Sequence, residues 1–242
     1  MKNPKNRKSR KNHIYEKKIH DFLKTISKQY ILRNPEVYRD RQSISRLISR
    51  IDLFRKIQNI QGSIVECGVY QGNNLFLNYQ LSNIFDPYNF KRKIIGFDTF
   101  EGFTSINKKK DRFGKKKYLN DVSYNELKKI SKIQDLNKPL SHIQQIQLVK
   151  GNALKTIPKY VEKNKHLIIS LLYLDFDLYE PTVVALKNFL PLMPKGALVV
   201  FDELNDDRWP GETEALKDLL HLNKTNLKKF DYETHTTYYE VN

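Results

Sequence analysis

The chain has 242 residues, 39% of them apolar and 29% charged, enough to enclose a core within one α/β domain. Its most apolar stretch, between His166 and Asp175, has 8 residues including Ser170, far short of the ~20 a spanning helix needs. The lone Cys67 excludes an internal disulfide and a multi-cysteine metal cluster, and no apolar run follows the basic N-terminus as it would in a secretory signal. These features together predict a cytoplasmic protein.

Lys and Arg number 43 against 27 Asp and Glu, a net charge of +16. Residues 1–60 hold 17 basic and 5 acidic residues, so most of the excess precedes the main domain. Residues 1–12, with Lys2, Lys5, Arg7, Lys8, Arg10 and Lys11, read as a disordered basic arm, either a solvated tail or a contact for an anionic partner. Residues 13–61 read as a helical extension. Ile14, Ile19, Phe22, Leu23, Ile26 and Tyr30 recur at helical steps over His13–Ile31, and Pro35 interrupts that helix. A second helix is predicted over Ser43–Ile60, with Ile44, Leu47, Ile48, Ile51, Phe54 and Ile57 near one stripe.

From Gly62 onward, short β-branched runs alternate with helical stretches. Strands are predicted at Ser63–Val69, Lys93–Asp98, Gln145–Lys150, His166–Asp175, Ala197–Asp202, Leu227–Tyr232 and Thr237–Val241, with helices near 72–84, 123–134, 152–163, 181–190 and 212–222. Apolar strands alternating with helices imply a mostly parallel sheet covered on both faces. The link at about 232–236 is too short for a parallel crossover, so one of the last two strands should run antiparallel. Seven strands arranged in this way outline a class I methyltransferase (Rossmann-like) domain over residues 62–242.

Four motifs fall at the predicted strand tips, where doubly wound sheets bind their ligands. In GSIVECGVYQGNNL (62–75), Glu66, Gly68 and Gly72 precede a helix; two glycines separated by three residues, with an acid ahead of them, suit an amino-acid-bearing ligand such as S-adenosylmethionine better than a pyrophosphate. An ordinary tight turn would look the same. In KIIGFDTFEGF (93–103), Asp98 ends the second strand, where a carboxylate accepts ribose hydroxyls or caps the following turn. In LVKGNALKTIP (148–158), Gly151 and Asn152 stand where an adenine edge would be read, and Asn152 is equally a helix N-cap.

The fourth stretch, LLYLDFDLYEPTVVALKNFLPLMPKGALVVFDELND (171–206), ends one strand at Asp175 and the next at Asp202, with Glu203 beside it. Neighbouring strand tips lie about 5 Å apart, so three carboxylates would meet there. Left alone they repel and some pKa values rise; a hard cation such as Mg²⁺ removes the conflict, while helix capping with lysine neutralisation is the plainer alternative.

Taken together, IVECGVYQGNN, GFDTFEGF, KGNALKTIP, LDFDLYEPT, LPLMPKGALVVFDELN and WPGETEAL resemble the macrocin O-methyltransferase family. The resemblance covers roughly residues 40–222 and implies methylation of a sugar hydroxyl with S-adenosyl-L-methionine and Mg²⁺. It implies cofactor contacts from Glu66, Gly68, Gly72 and Asp98, with Gly151 and Asn152 near adenine. It also implies metal ligation by Asp175, Asp202 and Glu203, with Asp175 the base. Many relatives carry two aspartates where this chain has Asp202–Glu203, and Asp177 competes with Asp175 as ligand; the preference for Asp175 rests on its place at the strand end.

Acceptor recognition is expected from variable segments. The basic stretch 104–122 (Lys108, Lys109, Lys110, Arg112, Lys115, Lys116, Lys117) reads as a lid for an anionic acceptor or as a solvated loop. Arg208 could hold an anionic group and Trp209 could stack on a sugar or anchor packing. The acceptor expected is a sugar or glycan small molecule, including anionic nucleotide-sugars. An RNA or DNA methyltransferase is the rival supported by net charge, and a non-catalytic S-adenosylmethionine-binding protein is a second. The N-terminal helices are a candidate surface for homo-oligomerisation.

Overall fold

The computed structural model describes residues 10–104, 106–112 and 123–242, with 10–13 described by backbone alone. Residues 1–9 of the expected arm, and Lys115, Lys116 and Lys117, lie outside the described residues. Two compact units are present, Met1–Arg46 and Leu47–Asn242.

The first unit holds α1 (Arg10–Leu23), α2 (Lys28–Arg33), α3 (Pro35–Tyr38) and the first turns of α4 (Arg41–Ile57). The single helix expected over His13–Ile31 is broken at residues 24–27 rather than ended by Pro35. Side-chain hydroxyls explain the break: Thr25 Oγ1 donates to the Phe22 carbonyl at 2.7 Å, and Ser27 caps α2 by accepting from Tyr30 N–H at 3.2 Å. Pro35 occupies the first turn of α3, where its missing N–H leaves no bond unmade.

The second unit is built on a seven-stranded sheet: β1 (Ser63–Cys67), β2 (Ile94–Asp98), β3 (Ile146–Lys150), β4 (Ile169–Leu174), β5 (Leu198–Phe201), β6 (Lys228–Lys229) and β7 (Thr237–Glu240). Its order is β3-β2-β1-β4-β5-β7-β6, with β7 antiparallel to both β5 and β6 as the short connection requires. This is the class I methyltransferase arrangement. Between the strands lie α5 (Asn73–Phe85), α6 (Tyr124–Asp135), α7 (Ala153–Lys163), α8 (Tyr179–Phe189) and α9 (Gly211–Leu219). No helix among the described residues is long and apolar enough to cross a membrane.

Alternation along the strands divides the core in two. Ile64, Ile94, Leu171, Tyr173, Leu198 and Val200 pack with Leu53, Phe54 and Ile57 of α4 and with Leu75 and Tyr79 of α5. Val65, Ile95, Leu172, Leu174, Val199 and Phe201 pack instead with Ile157 of α7, Leu186 and Phe189 of α8 and Leu216 of α9. Both faces are covered, so the strands read as nearly unbroken apolar runs. The chain then has one open place for polar chemistry on this sheet, beyond the strand ends.

Candidate active site

The carboxyl ends of the parallel strands are level because their ladder continues one step past each strand. Gly68 N–H donates to the Phe97 carbonyl at 2.9 Å, Gly151 N–H to Asp98 at 2.9 Å, Asp175 N–H to Cys67 at 2.8 Å and Asp202 N–H to Leu174 at 3.1 Å. Glu66, Gly68, Asp98, Gly151, Asp175, Asp202 and Glu203 therefore share one edge. Backbone strain concentrates along it: of the five described non-glycine residues with positive φ, Tyr70, Phe100, Asp177 and Asn205 follow β1, β2, β4 and β5.

The glycine turn owes its sequence to packing as much as to any ligand. Gly68 has φ +96°, and a Cβ there would come within 1.9 Å of the Asp175 carbonyl oxygen. Gly72, at φ +84°, is the left-handed residue from which α5 starts. Asp98 pins this turn from the next strand: its Oδ2 accepts from Val69 N–H at 2.8 Å and Tyr70 N–H at 2.9 Å, while Oδ1 accepts from Phe100 N–H at 2.7 Å. Asn152 is the N-cap of α7, accepting from Leu154 N–H at 2.9 Å.

At the β4 and β5 tips the acids crowd together. Burial, then the Asp202 charge, lifts the Asp175 carboxyl well above the usual range. Burial and then the Asp177 charge push Glu203 to about 9. Strand alternation would send Asp175 and Asp177 the same way, but Asp177 has left the strand for a left-handed turn at φ +61° beside Glu203.

Sequence reasoning missed a further acid, Glu212, in the first turn of α9. It is fully buried, and burial followed by Asp177 and Asp202 raises its pKa strongly. Gly211 makes this possible, since a Cβ there would meet Asp111 Oδ1 and Tyr179 N at 2.6 Å and the Asp177 carbonyl oxygen at 2.7 Å. A glycine just ahead of an acid in an opening helix was the available signal.

Glu203 Oε2, Glu212 Oε1 and Glu66 Oε2 are buried without a hydrogen-bond partner. Oxygen donors left unpartnered among mutually raised carboxylates are the donor chemistry that suits a hard divalent cation. Among the described residues, however, no three acidic, His or Cys side chains close into a metal-holding group.

The outer segments are tied down. Asp111 accepts from Tyr179 N–H at 2.8 Å and from Asn107 N–H at 2.7 Å, and Lys110 pairs with Glu214 at 2.9 Å and Asp218 at 3.2 Å. The described part of the basic segment is thus fastened to α8 and α9. Arg208 Nε donates to both oxygens of Asp206, at 2.9 and 3.1 Å, and this pairing holds Asp206 down to about 2. Trp209 meets the Phe103 ring edge-on, with centroids 5.9 Å apart.

The chain matches the profile of the macrocin O-methyltransferase (TylF) family over residues 34–240. It belongs to that family. None of the curated proteins compared with it matches. Among solved structures, calicheamicin methyltransferase CalS11 is 31% identical with a TM-score of 0.88, covering 96% of this chain and 93% of that one. An apo structure of CalS11, described as a TDP-rhamnose 3'-O-methyltransferase, aligns at 28% identity and a TM-score of 0.83 over 96% of this chain and 95% of that one. The O-methyltransferase NovP, at 20% identity and a TM-score of 0.62 over 82% of this chain and 80% of that one, shares the fold. The chain is accordingly an S-adenosylmethionine-dependent methyltransferase.

Proposed function

We propose that this enzyme methylates a hydroxyl of a sugar borne by a nucleotide or a small glycoside. The observation that carries the reading is the 31% identity to calicheamicin methyltransferase over 96% of the chain, together with an acidic crevice at the corresponding end of the sheet. Net charge +16 favours the approach of an anionic acceptor such as a nucleotide-sugar.

Glu66, Gly68, Gly72 and Asp98 form the wall against which S-adenosylmethionine would lie, with Gly151 and Asn152 beside its adenine. Asp98 keeps the turn rigid through its three backbone amides, so donor and acceptor can be aligned without reorganisation. Asp175 is the base for the acceptor hydroxyl: it stands at the β4 tip, where burial and neighbouring acids raise its proton affinity. Asp175, Asp202 and Glu203 would supply the oxygens for Mg²⁺, with Asp177 and Glu212 adjoining. Bound Mg²⁺ would lower the pKa of the hydroxyl and stabilise the alkoxide. Arg208 and Trp209 flank the acceptor side, Arg208 through whatever guanidinium edge Asp206 leaves open.

The test is labelled methyl transfer from S-adenosylmethionine into nucleotide-sugars, free glycans and RNA, each with Mg²⁺ and with EDTA. Label in a nucleotide-sugar or glycan, lost with EDTA, is expected. Label confined to RNA, or full turnover in EDTA, would refute the acceptor or the metal assignment respectively.

A further inference from the structure

The crevice is ringed by acids, yet a cation reaches it from outside the strand-tip motifs. Arg50 lies on α4, in the helical segment ahead of β1, whose residues Leu53, Phe54 and Ile57 are buried against the same sheet face as Tyr173. That packing fixes where Arg50 stands. Its guanidinium lies 6.0 Å from the centroid of the Tyr173 ring. The Tyr173 hydroxyl beside it donates to Asp202 Oδ1 at 2.7 Å.

Glu66 pairs with Tyr173 in the β1–β4 register and shares its face of the sheet. One cation and one anion therefore flank Tyr173 beside the glycine turn. They attract one another, but no ion pair closes between them among the described residues, and Glu66 Oε2 stays buried with no partner. Arg50 is only half-buried. A fixed guanidinium and a fixed carboxylate, separated and incompletely partnered, are complementary to a zwitterion.

We propose that Arg50 and Glu66 together read the amino-acid end of S-adenosylmethionine, Arg50 taking its carboxylate and Glu66 its ammonium group. The inference rests on the chain being an S-adenosylmethionine-dependent methyltransferase and adds to it a specificity-determining residue from the helical segment. Arg50 then offers the charge that selects the methionine carboxylate, beside the tyrosine whose hydroxyl holds Asp202.

Calorimetry on the full chain with three ligands tests it: S-adenosylhomocysteine, its decarboxylated analogue and 5'-methylthioadenosine. Arg50→Ala is expected to weaken S-adenosylhomocysteine roughly 10- to 100-fold, the loss of one charge-assisted contact, while leaving the decarboxylated analogue within about 2-fold. Arg50→Lys should recover part of the loss and also serves if the alanine variant fails to fold. Equal weakening of all three ligands, or unchanged binding of S-adenosylhomocysteine, overturns the proposal in favour of a purely structural arginine. Failure of the unaltered enzyme to bind any of them would instead overturn the cofactor reading on which the proposal rests.

Discussion

The two ends of the parallel sheet hold buried polar groups in opposite ways. At the amino ends, Arg92 is 3% exposed, and its Nη2 donates to the carbonyls of Ile57, Gln58 and Ile60 at 3.3, 3.1 and 2.7 Å. Gln145 donates to Ser82 Oγ at 3.0 Å and to the Arg92 carbonyl at 3.1 Å, and accepts from Asn83 at 3.0 Å. A buried cation there meets backbone acceptors through Nη2, while its Nε and Nη1 have no hydrogen-bond partner among the described residues and its guanidinium lies 5.8 Å from the Phe54 ring centroid. At the carboxyl ends, Asp175, Asp177, Asp202, Glu203 and Glu212 face one another, and burial raises those that titrate abnormally. Like charges heaped in a low dielectric are tolerated when something outside the chain completes them. One end sets a cation against carbonyls; the other sets acid against acid.

The contrast is broken most directly by removing the proposed base. Asp175→Ala should lower methyl transfer by about 10²- to 10⁴-fold, the range of a lost general base. Its melting temperature should stay level or rise, because a repelling carboxyl has gone. Turnover assays and thermal unfolding on the same preparation check both halves; retained turnover with a lower Tm would reverse the division between the two ends.

Arg92→Ala probes the opposite end. It leaves three carbonyls without a charged donor and should cost about 2–3 kcal/mol of unfolding free energy. Urea unfolding measures that loss, and calorimetry should find S-adenosylmethionine affinity unchanged. A matching fall in affinity would mean that the two ends act as one unit.

Gly211→Ala sits where architecture and chemistry touch. The added methyl must displace Asp111, Tyr179 N or the Asp177 carbonyl, an overpacking of about 1–3 kcal/mol. Because Glu212 and Asp177 move with it, stability and turnover should fall together, unlike in either variant above. A change in only one of the two measurements would separate the packing role of this glycine from the acid cluster.

These contrasts also show what a sequence can reveal. The level tips were legible because each strand ends in a residue whose type has a backbone reason, Gly68 and Gly151 at positive φ and Asp98 as acceptor for the glycine turn. The family and the fold followed from those tips. Arg50 was hidden because α4 shows only helical periodicity, and nothing in that pattern tells which of its residues comes to stand beside Tyr173 of β4, seven elements later. Asp177 was misdirected because strand alternation stops at Leu174, and a left-handed turn has no period to extrapolate. The helix break at residues 24–27 carried readable signals, a threonine and a capping serine, that hydrophobic spacing overrode.

Glu66 gives the smallest effect and the finest separation of the two ends. Burial pushes its carboxyl up to about 8, with Arg50 pulling the other way. A carboxyl raised on folding adds stability that is complete below its unfolded pKa near 4.5 and is lost as pH rises through about 8. Ligand binding runs in the opposite direction. If the ionised carboxylate receives the ammonium group of S-adenosylmethionine, affinity should climb between pH 6.5 and 8.5, by at most about tenfold per pH unit for one linked proton. Glu66→Gln keeps the shape of the side chain and removes its titration, so it should flatten that climb relative to the unaltered enzyme while easing the loss of stability at alkaline pH. Since the ligand's own amine titrates identically against both proteins, the difference between the two affinity profiles isolates Glu66. Parallel profiles would show that this acid takes no part in binding and belongs, like Arg92 and Gln145, to the architecture of the sheet.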